Sequence, residues 1–205
     1  MIIQAEAISK MYFTQWVIKN ISFELTSNSY AIIGPNGSGK STLAKLIAGY
    51  LTPTEGKLTY TMNGEKLSVD LLYQYINYCA PYIELIEEFT IRELWNFHTH
   101  FKKNNSSLSF EEFLENSQLK NQKKKEIKYF SSGMKQRLKL GLSLYTSCEL
   151  LILDEPTSNL DKQGIIWYQN EIQKINSNTN KTILICSNDE KEYTFCTHQI
   201  NLQKN

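Results

Sequence analysis

The eight residues Gly34-Pro-Asn-Gly-Ser-Gly-Lys-Ser41 follow the spacing G-x-x-x-x-G-K-[ST], and the fixed positions each have a chemical use. Gly37 and Gly39 lack a Cβ, so backbone N–H groups can turn inward onto phosphate oxygens. Lys40 supplies a point charge between the β- and γ-phosphates, and the Ser41 hydroxyl can ligate Mg²⁺. A second constellation, Leu150-Leu-Ile-Leu-Asp154-Glu155-Pro156, puts two carboxylates at the end of an apolar run. In an open α/β sheet that carboxyl edge is where nucleotides sit. Asp154 can hold Mg²⁺ through water, while Glu155 points elsewhere and can orient or deprotonate an attacking water. Alone, an acidic pair merely solubilises a strand end. Behind a phosphate loop it reads as catalytic.

These residues need elements to hold them. Tyr30-Ala31-Ile32-Ile33 is a compact apolar run ending at Gly34, the pattern of a buried strand feeding a loop. Thr42 to Ala48 carries apolar residues at helical spacing, with Gly49 as its stop, so the loop opens onto a helix N-terminus and its dipole. Short strand-like runs are expected at Ile2–Ala5 and Ile21–Leu25. Residues 51–80 read as turn, strand, an Asn63-Gly64 hairpin turn and strand again. Leu150–Leu153 and Thr182–Cys186 read as buried strands separated by a helix near 162–175. Strands alternating with helices argue for a parallel α/β sheet.

From Glu84 to Tyr129 the character changes. Amphipathic helical patterns begin at Ile91 and Phe110, behind the N-cap candidates Thr90 and Ser109. Lys102 to Ser107 reads as a polar loop, and Lys120 to Lys128 as a solvated basic loop or helix face. A further helix follows Gly133, with Leu138, Leu140, Leu142 and Leu144 on its apolar sides. This helical stretch is an inserted lobe, and Trp95, Phe97, Phe101, Phe110 and Phe113 are expected to form its core. His98 and His100 lie two apart and face different sides, so they suit a metal poorly.

Composition narrows the function classes. The chain has 205 residues, 22 Lys plus Arg against 21 Asp plus Glu, and a formal charge of +1. Only Arg92 and Arg137 are arginines, so no field is strong enough to hold nucleic acid non-specifically. The longest aliphatic run, Leu150 to Leu153, falls far short of the ~20 apolar residues of a membrane span. The N-terminus shows no secretory signal. The four cysteines, Cys79, Cys148, Cys186 and Cys196, form no CxxC pair and suggest reduced thiols in a cytosolic domain.

The ordered set of motifs resembles the ATP-binding cassette (ABC) ATPases, the motor subunits of ABC transporters. Phe130-Ser-Ser-Gly-Met-Lys-Gln-Arg137 looks like the family signature, Ser158-Asn-Leu-Asp161 like its D-loop, and Lys10-Met-Tyr12 like the lead-in to an adenine-stacking aromatic. Phe13 and Trp16 are alternative stackers to Tyr12. The resemblance implies a phosphate-loop NTPase core with a mostly parallel sheet, an N-terminal antiparallel β subdomain and an inserted α-helical lobe. It places the core at about 1–83 and 148–205 and the lobe at about 84–147 of one domain. It implies ATP held by Tyr12, Gly34, Pro35, Asn36, Gly37, Ser38, Gly39, Lys40, Ser41 and Thr42, and Mg²⁺ by Ser41 and Asp154. Glu155, Lys40 and Asn188 would be catalytic, with Asp161 in the D-loop. Ser131, Ser132 and Gly133 would act in trans, capping the triphosphate on a second subunit. The implied partners are a second ATPase subunit, as homodimer or pseudo-dimer, and separate transmembrane permease subunits, with the chain cytoplasmic on the inner face of the membrane and no nucleic acid involved.

Four positions, in three motifs, depart from the family. Asn188 stands in the slot of the switch histidine, Pro81 in the slot of a glutamine that helps place Mg²⁺, and Ser132 and Met134 alter the signature. An Asn amide can donate a hydrogen bond but carries no charge. Slow turnover and a subgroup with normal turnover both fit. The rival readings are an ATP-dependent dimerising regulator with little hydrolysis, and a non-transport relative acting on DNA or ribosomes, which usually carries two cassettes or long coiled coils.

Overall fold

The computed structural model describes residues 1–102, 108–178 and 180–203; the polar stretch expected at 102–107 lies outside them apart from Lys102. Two sheets organise the chain. The first is antiparallel, in the order β2-β1-β4-β5, from β1 (Ile2–Tyr12), β2 (Gln15–Leu25), β4 (Glu55–Met62) and β5 (Glu65–Lys66). The second is parallel, in the order β6-β7-β8-β3-β9, from β3 (Ser29–Ile33), β6 (Ile76–Cys79), β7 (Leu150–Asp154), β8 (Thr182–Cys186) and β9 (His198–Asn201).

The opening strands are longer than the short runs expected from the sequence. Each spans 11 residues, paired from Ile3 with Leu25 to Tyr12 with Gln15. Register shifts after Ala5, Ile8 and Lys10 break the two-residue alternation, which is why the pattern looked interrupted. Asn63 and Gly64 turn the next hairpin at φ 52° and 83°, as a two-residue loop of this handedness requires. Its return strand is only Glu65–Lys66, after which Val69–Gln74 coils as a 3₁₀ helix.

Both faces of the parallel sheet are covered. Ile32, Leu150, Ile152 and Leu184 meet Leu43, Leu46 and Ile47 of α1 (Lys40–Ile47), which is wedged between the two sheets. The alternate residues Leu151, Leu153, Ile183 and Ile185 meet Leu140 and Leu144 of α4 (Ser132–Tyr145) and Trp167, Tyr168 and Ile172 of α5 (Lys162–Asn178). Strands buried on both faces read as continuous apolar runs, so β7 and β8 stood out in the sequence.

The helical lobe has its own core. α2 (Ile91–His100) and α3 (Phe110–Asn116) start with full capping boxes, in which Thr90 and Ser109 exchange hydrogen bonds with Glu93 and Glu112. Trp95, Phe110 and Phe113 pack there with Leu94, Ile127 and Leu138. Phe97 and Phe101 do not join them, being 48% and 43% exposed. On a helix whose inward stripe is Ile91, Leu94 and Trp95, position 97 lies off the buried side and Phe101 lies beyond the last turn. They form an outer aromatic row instead, Phe89–Phe97–Phe101–Tyr73, edge to face. The basic run is solvent-facing loop, interrupted by 3₁₀ turns at Lys120–Gln122 and Ile127–Tyr129. All four cysteines are free thiols.

Candidate functional site

The loop after β3 is shaped by glycine. Gly37 has φ +81° and Gly39 φ +96°, where L side chains are strained. A Cβ on Gly39 would also stand 2.8 Å from Ile18 Cδ1, because β2 presses against the loop, whereas Gly37 faces open space. Gly39 is the residue before α1, so the helix opens directly beneath the loop with N–H groups still unpaired. Lys40 is buried to 6% exposure, its ammonium donating to the Gly34 carbonyl at 2.8 Å and to that of Pro35 at 3.2 Å. Val17, Asn36, Gly37, Gly39, Lys40, Ser41, Thr42 and Glu155 line one cleft of about 360 Å³.

The carboxylates divide as their order suggests. Asp154, at the end of β7, is 1% exposed; its Oδ2 accepts from the Tyr82 hydroxyl at 2.9 Å, and the Tyr78 hydroxyl lies 3.3 Å from the same oxygen. Its Oδ1 is buried and meets no donor among the described residues. A buried carboxylate oxygen without a donor is a hard ligand that suits Mg²⁺, and the Ser41 hydroxyl, in the cleft at the start of α1, is a second oxygen of that kind. Glu155 takes φ 45°, its N–H bonded to the Cys186 carbonyl at 2.9 Å, and this turn carries its side chain out to the cleft.

Asn188 lies on the loop after β8, its amide Nδ2 donating to Asn36 Oδ1 at 3.1 Å, so the switch position touches the phosphate loop. Tyr12 ends β1 at 40% exposure, with the Lys10 ammonium 5.6 Å from its ring centroid. Phe13, at φ 52° and 99% exposed, projects from the hairpin tip. None of Tyr12, Phe13 and Trp16 lines the cleft around Lys40.

The signature residues face elsewhere. Ser131 is the N-cap of α4 and accepts from the Met134 N–H at 3.3 Å; Ser131 and Ser132 are exposed. Ser131 and Gly133 line a cleft with Gln118, Arg137, Asn159 and Asp161 that shares no residue with the one at Lys40. Asp161 Oδ1 accepts from the Gly164 N–H at 2.7 Å and from Arg137 at 3.2 Å, and the first of these chiefly holds its carboxyl below the usual range. α4 is tied to the catalytic turn from inside: buried Gln136 donates through Nε2 to the Pro156 carbonyl at 2.9 Å.

Sequence reasoning missed the two tyrosines on Asp154, which are 72 and 76 residues away in the chain. The only trace was position: Tyr82 follows Pro81, at the slot where a polar side chain was expected.

This fold, with an amide-lined loop and a carboxylate pair at one sheet edge, defines a nucleotide-binding cassette, and the comparisons with known proteins say which. The ABC transporter family model matches residues 18–158, and the chain belongs to that family. It is 33% identical over 189 residues to the zinc import ATP-binding protein ZnuC of Wigglesworthia glossinidia brevipalpis, covering 92% of this chain and 76% of that one. It is 32% identical over 190 residues to the uncharacterized ABC transporter ATP-binding protein YcbN of Bacillus subtilis (strain 168), and spans only 61% of that relative's length against 91% of its own. Among solved structures, it resembles the dimeric post-hydrolysis state of the ATP-binding cassette MJ0796 bound to ADP and Pi, with a TM-score of 0.84 over 98% of this chain and 94% of that one at 24% identity. That likeness establishes the fold. Among the described residues no helix is long and apolar enough to cross a membrane.

Proposed function

We propose that this chain binds and hydrolyses ATP as the ATPase subunit of an ABC transporter, driving separate membrane subunits from the cytoplasmic face through ATP-dependent dimerisation, with no part for nucleic acid. The observation that carries the reading is the division into two clefts. One holds the phosphate loop and Glu155; the other, led by Ser131, lies at a helix N-terminus and contains no phosphate-loop residue. Helix N-termini bind anions, so a second copy supplies what each lacks. ATP then lies between the loop of one copy and the serine-led helix of the other.

Each residue has a task in this reading. The N–H groups of the loop and α1 hold the phosphates, and Lys40 leaves its carbonyl partners for the β- and γ-oxygens. Mg²⁺, when bound, would supply neutralisation of the phosphate charge. Ser41 and Asp154 would hold it, while Glu155 orients or deprotonates the attacking water. Asn188 donates its amide to the γ-phosphate from its seat on Asn36, and Tyr12 packs on adenine. Relatives named for zinc import and for Nod factor export share the cassette, which leaves cargo and direction to the membrane partner.

Glu155→Gln tests the reading. Steady-state phosphate release is expected to fall by about 10²–10³-fold, while size-exclusion chromatography with ATP shows a dimer that the unaltered protein forms only transiently. Unchanged turnover sinks the assignment. The uncharged Asn188 and Pro81 favour a second reading, a dimerising regulator; tight ATP binding without phosphate release from the unaltered protein would select it.

A further inference from the structure

Two phenols reach the carboxylate of Asp154. The chain leaving β6 bends at Pro81, and this brings the Tyr82 hydroxyl within 2.9 Å of Asp154 Oδ2. Tyr78, still in β6, hydrogen-bonds Tyr82 hydroxyl to hydroxyl, so with Tyr82 donating to the carboxylate, Tyr78 donates to Tyr82. The Lys45 ammonium of α1 lies 4.2 Å from the Tyr82 ring centroid, and Tyr50 packs edge-on to Tyr78. The loop itself is gripped from α4, where Lys139 donates to the carbonyls of Ala80, Pro81 and Ile83 at 3.3, 2.8 and 3.2 Å.

We propose that Tyr82, backed by Tyr78, is the positioning residue for the metal-holding carboxylate: by satisfying Asp154 Oδ2 it fixes the carboxylate plane and reserves the buried Oδ1 for Mg²⁺ or its bound water. The inference rests on the function proposed above. It follows from an asymmetry, since one oxygen of a nearly inaccessible carboxylate is met by the Tyr82 hydroxyl, with that of Tyr78 behind it, and the other meets no donor among the described residues. A buried acceptor of that kind is costly unless a ligand completes it. Pro81 brings no polar side chain to this corner, and the residue after it does.

The test is a Mg²⁺ titration of binding of a fluorescent ATP analogue, with the unaltered protein, Tyr82→Phe and Lys139→Met. Partners of metal-ligating carboxylates are worth about 10–100-fold in metal affinity. Tyr82→Phe is therefore expected to raise the Mg²⁺ midpoint about tenfold and to leave affinity for the analogue in EDTA unchanged. Lys139→Met, which keeps both phenols but frees their loop, should move the midpoint the same way by a few-fold. A Tyr82→Phe protein with an unaltered Mg²⁺ midpoint overturns the inference, and so does one whose melting temperature falls while the midpoint stays put. If the unaltered protein binds no analogue under any condition, it is the ATPase reading that fails.

Discussion

Asn188 and Asn36 show what a single amide can do at this site. With Oδ1 of Asn36 accepting from one N–H of the Asn188 amide, the second N–H is free to turn toward an anion on the loop. Preorganised donors of this kind act on charge that develops during reaction. Asn188→Ala is therefore expected to lower kcat by about 10²-fold and to leave the KM for ATP within a few-fold, the pattern of an interaction made in the transition state. An equal rise in KM with kcat unchanged would assign the amide to ground-state binding. The phosphate loop was legible in the sequence because its chemistry is local: eight consecutive residues carry the glycines, the lysine and the serine. The Tyr82–Asp154 contact was not, because a hydrogen bond between residues 72 apart depends on where two strands end.

At the scale of elements, α2 was readable down to its cap, since Thr90 and Glu93 interact within one turn. The burial of its other residues was not, and His98 is the instructive case. It sits in the last turn of α2 and faces the end of α4, its Nε2 3.1 Å from Thr146 Oγ1. Thr146 gives its own proton to the Leu142 carbonyl, so the imidazole Nε2 is the donor to Thr146 Oγ1. Burial, helped by the charge of Lys102, lowers its pKa from 6.5 to about 4. Between those values the unfolded chain binds a proton that the folded chain refuses. Stability is thus retained above pH 6.5 and falls as the pH drops toward 4, by up to about 3 kcal/mol from this residue. Urea unfolding at pH 7.5 and pH 5 should show the loss, and His98→Gln should flatten the slope across that window. Phe97 and Phe101 failed as core residues for a related reason: aromaticity marks a candidate for burial, while the stripe set by Ile91, Leu94 and Trp95 decides it.

For the whole molecule, the two sheets, the wedged α1 and the separate lobe core put the phosphate loop and the serine-led helix on distinct clefts. The alternation of strands and helices announced the parallel sheet. It could not show that the first sheet would press Val17 and Ile18 onto Gly39, because sheet against loop is tertiary contact. In the Glu155→Gln background, Ser131→Arg places a bulky side chain where a second copy would dock. Nucleotide affinity of the isolated chain should hold, and the ATP-dependent dimer in size-exclusion chromatography should disappear. Persistence of that dimer would move the contact surface away from α4.

The bond from Gln136 to the Pro156 carbonyl joins α4 to the turn that carries Glu155, and it is shut away from water. A helix bolted to that turn does not swing alone: in the dimer proposed above, a tilt that carried its tip to a neighbour's triphosphate would also tug on the carboxylate serving its own. Each copy of such a dimer would then sense, through one amide, whether its twin is loaded, and two hydrolytic events sharing that linkage would not be independent.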